Sequence, residues 1–539
     1  EINNVFAAWL WPPLSNAVEQ HSNNSWLLGR EVQLSLQNFI DLQGRRGLHR
    51  LIASKPEGFK TTVLAAIFRA ALKLTSAPKG HSEAILSSLE GLLGNLPTEF
   101  DAWPLVRRTV LASLVSHHVK YGPFKVSTEA SKAQRILLQL YQQLKQSARQ
   151  KGVLEFAHIS KSGGTSFCQL ARDNGCHSED FGWGNCLVQA FDDGPRYFNI
   201  TKHKQLIAEG VETRCAKGFK GMRFRGREVS CSDRRHRLKE LGYSLYANEY
   251  TAVGGTTDPT LAHPCRNMLT VLEIRHPYDR VTSHLKHAWF MYGYHCGDDR
   301  EKVYFADSHN TMHWVSLMPA VTNNYLIRSL IGEKIFQLPS GAITRDHLEL
   351  AQTFLAEQYD VVLVLEDKSL FGRTLRYGLG WGRHERHANG RPEGKDSDGG
   401  LPADLAALWD LNKLDVELYQ FGALMARLDA IMYAAAAIGE EAQSPQKLTV
   451  ETVLPQLTPP NLRRQTAGSD IKKQSFLFRS GTGRAAHGGQ DEGGGDRTGR
   501  SQQVGEIRRR LFMTGQRSEA ISALLRPGEG SRGASDHAA

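Results

Sequence analysis

An apolar run, Val153 to Ile159, passes directly into Ser160-Lys-Ser-Gly-Gly-Thr-Ser166 and then into a helix-forming stretch, an order that constrains the chain more than any other feature. A buried strand that must become a helix within a few residues is the unit from which parallel α/β sheets are made. The start of that helix is also an anion site. The backbone N–H groups of Gly163, Gly164, Thr165 and Ser166 have no partners inside the helix, and the macrodipole adds partial positive charge there. Lys161 and two hydroxyls can reach the same point. Glycine suits the loop because a side chain would hold a phosphate away from the backbone. The lysine precedes the glycines, which is not the Walker A order.

The same pattern recurs further on. Met268 to Ile274 reads as a buried strand and is followed at once by Arg275-His-Pro-Tyr-Asp-Arg-Val-Thr-Ser283. Pro277 suits a first helical turn, which puts Arg275 at the strand end and Ser283 on the helix. A guanidinium and a hydroxyl converging from those two elements can hold a terminal phosphate. With further strands at Tyr243 to Ala247 and Tyr359 to Leu365, residues 151–439 alternate strand and helix, so a parallel sheet with covered faces is expected. Each strand ends in polar residues, and ligands bind at the carboxyl ends of such strands.

These motifs resemble those of sulfotransferases that use 3′-phosphoadenosine-5′-phosphosulfate (PAPS), especially the Golgi enzymes acting on glycans such as heparan and chondroitin. In that family the first loop takes the 5′-phosphosulfate, and an arginine followed by Pro, Arg and Ser takes the 3′-phosphate. Asn324-Tyr-Leu-Ile-Arg-Ser-Leu-Ile-Gly332, Val364-Leu-Glu366 and Leu411-Asn-Lys-Leu-Asp-Val-Glu-Leu-Tyr419 are similar to three later family segments. The likeness covers roughly half of the chain and lapses in Asp192 to Arg237 and Gly372 to Gly400. It implies a P-loop-like α/β fold and transfer of a sulfuryl group from PAPS, as cosubstrate, to a carbohydrate hydroxyl, with no metal. It further implies a type II protein of the Golgi lumen whose anchor would lie upstream of Glu1. Cosubstrate binding then maps onto Lys161, Ser162, Gly163, Gly164, Thr165, Ser166, Arg275 and Ser283, and catalysis onto Lys161, facing the leaving phosphate, and Glu249. Glu249 ends Tyr243-Ser-Leu-Tyr-Ala-Asn-Glu249, where the family has its base; His263, His284 and His287 are rivals for that role. Arg280 would support the phosphate region, and Arg328 would contact ligand or form a structural ion pair.

Other readings compete. A P-loop kinase would need the Walker A order and an acidic Mg²⁺ motif, and neither is evident. A nucleotide- or glycan-binding interaction protein would use the helical region before residue 151 instead. His384-Glu-Arg-His387 and the pairs Cys265/His263 and Cys296/His295 invite a metal, but none has zinc or metalloprotease spacing.

The 539 residues suggest more than one folding unit. Residues 1–150 show helical periodicity in Val32–Ile52, Thr62–Leu74, Glu83–Leu93, Leu105–His118 and Ala133–Ser147, as a stem or interaction module. Residues 440–539 are rich in Gly, Ser, Arg and Gln and are expected to be disordered. The net charge of +10 favours acidic partners, but no nucleic-acid module is recognisable. All seven cysteines fall between Cys168 and Cys296, which fits lumenal disulfides; Cys168 is expected to be the unpaired, buried one. Sequons at Asn23 and Asn199 are compatible with a secretory route. Pro12 and Pro13 break Trp9–Leu14, and Arg69 and Lys73 break Thr62–Leu74, so no bilayer-spanning stretch is expected.

Overall fold

Four short runs with every residue buried, β1 (Leu154–Ala157), β2 (Leu245–Asn248), β3 (Leu269–Ile274) and β4 (Val361–Val364), form one parallel sheet in the order β2-β1-β3-β4. The computed structural model describes residues 36–42, 59–78, 80–97, 102–124, 126–179, 229–249, 264–296, 309–384 and 401–443, with scattered positions between 186 and 208. The tail expected to be disordered lies almost wholly outside them. All four strands overlap the expected ones: β1, β3 and β4 are shorter, and β2 begins two residues later and runs one residue further, to Asn248. Register is set by Leu154 facing Leu245 on one side and Leu269 on the other, and by Val271 facing Val361.

The chain runs from β1 outward to β2, then crosses back to β3 on the other side of β1. That reversal opens a crevice at the carboxyl ends of β1 and β3, where such sheets bind ligands.

Alternation along the strands divides their side chains among separate core clusters. Leu272, Ile274, Val362 and Val364 face one cluster, whereas Leu154, Phe156, Leu245, Leu269, Val271 and Leu363 face another. Helices cover both faces: α1 (Phe59–Ser76), α2 (Glu83–Gly94), α3 (Trp103–Tyr121), α4 (Ser127–Lys151), α5 (Gly164–Asp173), α6 (Cys231–Glu240), α7 (Pro277–Cys296), α8 (Tyr325–Ile331), α9 (Arg345–Gln358) and α10 (Lys413–Gln443), with shorter turns between some of them. Helix α5 buries Phe167, Cys168, Leu170 and Ala171, a helical stripe, and Phe167 stacks on Phe156 at 3.9 Å. Burying Phe167 and Leu170 contributes about 1.5–3 kcal/mol each. Gly152, in the left-handed region at φ 67°, ends α4 and turns the chain into β1.

The helices before residue 151 share the larger core cluster with the sheet and α10. Arg107 and Arg108 on α3 clamp Asp429 of α10 at 2.8 and 2.9 Å and donate to the carbonyls of Asp360 and Tyr359, just before β4. Burial would raise the Asp429 carboxyl, but the two guanidiniums outweigh it and hold it below the usual carboxylate range.

Two expectations are corrected. Cys168 is not the free thiol: it pairs with Cys186, Cys231 pairs with Cys265, and the free cysteine among the described residues is Cys176. The loop after α5 folds back along β2, where Ala247 donates to the Cys186 carbonyl at 2.7 Å, and this brings the two sulfurs together. Secondly, the segment Lys413–Ile438 of α10 is long and apolar enough to cross a membrane; 78% of its most apolar window is buried, because it is the central core helix.

Candidate functional site

The loop from His158 to Gly163 leaves β1 at the crevice and has to turn sharply before α5 begins. Lys161 takes a left-handed conformation at φ 67°, which costs a residue with a Cβ about 1–3 kcal/mol. Gly163 follows at φ 96° as the residue before the helix, and no side chain caps the helix start. The Ser166 N–H bonds back to the Gly163 carbonyl at 2.9 Å, which leaves the N–H groups of Gly164 and Thr165 to the crevice. Thr165 and Ser166 are half-buried on the first turn; Ser162 is buried, and its Oγ has no hydrogen-bond partner.

Both glycines are required by what lies beneath them. A Cβ on Gly163 would collide with the Glu273 carboxyl, and one on Gly164 with the His158 ring. His158 and Glu273 continue the alternation of Phe156 and Val271, so they point to the same face of adjacent strands. Both are buried. Neither carboxyl oxygen of Glu273 has a hydrogen-bond partner, nor does Nδ1 of His158. Burial, reinforced by the nearby Glu366, pushes the Glu273 carboxyl well above the ordinary range. Burial also lowers His158, partly opposed by Glu249 and assisted by Lys161.

The two motifs found separately in the sequence meet here. Arg275, at the end of β3, donates from Nη1 to the backbone carbonyl of Lys161 at 3.1 Å. Ser283 is half-buried about 9 Å along α7 at 1.5 Å per residue, and no hydrogen bond joins it to Arg275 in the described residues. Glu249 follows β2 on the same edge. Ser160 Oγ donates to its Oε1 at 2.6 Å and the Tyr197 hydroxyl to the same oxygen at 3.2 Å, while Ser160 and Tyr197 lie 2.5 Å apart. Oε2 of Glu249 has no hydrogen-bond partner among the described residues and remains open as an acceptor. Burial and the Glu249 carboxylate push the Tyr197 phenol well up.

Of the rival histidines, His263 lies outside the described residues. His284 is fully buried, edge-on to Tyr197 at 4.3 Å, with Arg280 Nη1 3.1 Å from its Nδ1. A guanidinium only donates, so Nδ1 accepts and the proton sits on Nε2. Burial, with Arg280, His287 and Lys161 nearby, lowers His284 well below its usual value and keeps it neutral. His287 is half-buried one turn further along α7.

Arg280 is buried against the Tyr325 ring at 4.3 Å and donates to the Val321 carbonyl, so it braces α7. Arg328 is wholly structural: it donates to the carbonyls of Asn323, Ile335, Phe336, Leu338 and Pro339. The three later segments singled out in the sequence are bonded together. Asn324 is tied to Asn412, Asp415 accepts from Leu326 and Ile327, and Glu366 accepts from the His276 N–H at 2.7 Å and the Tyr419 hydroxyl at 3.1 Å. His384 is exposed, with Nδ1 3.2 Å from the Gly382 carbonyl, and His387 lies outside the described residues.

Sequence reasoning missed His158, Ser160, Glu273 and Tyr197. A signal existed for Glu273, an acid inside an otherwise apolar strand, and for His158, which falls on the buried parity of β1. Tyr197 belongs to an insert with no pattern to place it. No protein-family model, curated protein or solved structure matches the chain.

Proposed function

We propose that this chain is a PAPS-dependent sulfotransferase that moves the sulfuryl group to a hydroxyl of a carbohydrate acceptor. The observation that carries this reading is the Arg275–Lys161 contact, 3.1 Å long between residues separated by 114 positions, which joins both family-like phosphate motifs at one sheet edge. The first-turn donors of α5 and Lys161 take the 5′-phosphosulfate, and Arg275 with Ser283 takes the 3′-phosphate. Glu249 Oε2 accepts the proton of the acceptor hydroxyl as its oxygen bonds to sulfur and the bond from sulfur to the 5′-phosphate breaks. Charge left on that phosphate falls to Lys161 and the loop N–H groups. The two disulfides among the described residues fit the oxidising lumen of the Golgi, where the family works as type II membrane proteins.

The test is transfer of labelled sulfate from PAPS to a panel of glycans with EDTA present, for the wild type and Glu249→Gln. Transfer should occur without metal, and the substitution should lower turnover about 10²-fold or more with little change in nucleotide affinity. Absence of transfer together with Mg²⁺-dependent preference for ATP would replace this reading with phosphoryl transfer.

A further inference from the structure

Lys161 holds a left-handed backbone at φ 67° that its Cβ disfavours, so a contact from outside the loop has to hold it there. Arg275 supplies one, through its Nη1 donation to the Lys161 carbonyl. A guanidinium has five N–H donors in a rigid, planar fork, so one bond to the carbonyl leaves others for an anion. A single planar group thereby touches both the loop that presents Lys161 and the place assigned to the donor's terminal phosphate. The cradle beneath the loop adds little polar restraint, since Glu273 and Ser162 Oγ make no hydrogen bonds.

We propose that Arg275 is a positioning residue for Lys161, so that the anion taken by its guanidinium orders the loop and couples the donor's 3′-phosphate to events at the sulfuryl end. This rests on the sulfotransferase reading and deepens it. Discrimination against a donor lacking the 3′-phosphate then acts on turnover as well as on affinity. A lysine cannot substitute, because an ammonium lacks the planar fork that serves both partners.

Hydrogen exchange over residues 158–166 of the full chain tests this, with exchange in β4 as the control for global unfolding. Without ligand, Arg275→Ala and the charge-keeping Arg275→Lys should both speed exchange in the loop about fivefold or more while β4 is unchanged. Saturating adenosine 3′,5′-bisphosphate should protect the wild-type loop more than saturating adenosine 5′-monophosphate, and Arg275→Ala should erase the difference. Turnover of Arg275→Ala at saturating PAPS should be low and partly restored by free guanidinium ion. Unchanged loop exchange in both variants overturns the positioning role. Equal protection by the two nucleotides overturns the coupling while leaving the sulfotransferase reading intact. If the variants loosen the loop but the bisphosphate does not bind the wild type, the positioning role stands and the sulfotransferase reading falls.

Discussion

Gly164 shows at the scale of one residue how the loop is built. The space a Cβ would need is filled by the His158 ring, which is buried and stacked near Phe156 at 5.5 Å. Gly164→Ala should therefore force the imidazole or the start of α5 to move, lowering stability by about 1–3 kcal/mol, as overpacking does. Removing the ring in the same molecule should return part of that loss. A double-mutant cycle of Gly164→Ala with His158→Ala, read by urea denaturation, should give a coupling of about 0.5 kcal/mol or more; strict additivity would show that the ring does not support the loop. The glycine was legible in the sequence as a requirement of the anion, approached from above. The structure adds a second requirement from below, which depends on the strand parity of His158.

At the scale of elements, the strands were readable because each is a short apolar run bounded by polar loops, and parallel strands buried on both faces have no other pattern to offer. Their ends were not, since Val153, Ile159, Tyr359 and Leu365 are apolar but lie beyond the ladder. Helix α10 was glimpsed only through Leu411–Tyr419; its apolar continuation to Ile438 reads as core only once the sheet and α3 are seen to pack on it. Cysteine pairing was likewise illegible, because it depends on the loop after α5 returning to β2. That return is a testable tie between elements. Cys168 and Cys186 are 18 positions apart, and closing a loop of about that length contributes roughly 3 kcal/mol. Cys168→Ala in the oxidised protein should lose about 2–4 kcal/mol in denaturant unfolding, and reductant should shift the wild type in the same direction. Equal unfolding midpoints for the two would mean that the pair does not form in solution. The Cys176 thiol should stay unreactive while the protein is folded and become reactive on unfolding, since burial pushes it up to about 12.

For the molecule as a whole, the two edges of the sheet are treated differently. The amino edge near β4 is closed by the buried Arg107, Arg108 and Asp429 network and by Lys151, which reaches Asp360 at 2.6 Å. Its charges are paired, as burial demands. The carboxyl edge keeps unpaired polar groups under the loop, and Glu273 is the one with most bearing on stability. Its folded-state value lies well above the ordinary 4.5, so as pH rises past 4.5 the unfolded chain gives up this proton before the folded protein does. Unfolding then gains free energy relative to folding, and the group's contribution to stability falls with rising pH until its folded-state value is passed. Glu273→Gln keeps the size of the side chain and removes the titration. The difference in Tm between Glu273→Gln and wild type should accordingly grow in favour of the variant from about pH 4.5 towards pH 8, read by thermal scans at fixed ionic strength. The slope of that difference matters more than its offset, because an amide left without partners in the same pocket lowers stability equally at every pH. Parallel Tm curves for the two proteins across this range would show that Glu273 is already ionised in the folded state. The buried acid would then have a partner, and the polar vacancy under the loop would not exist.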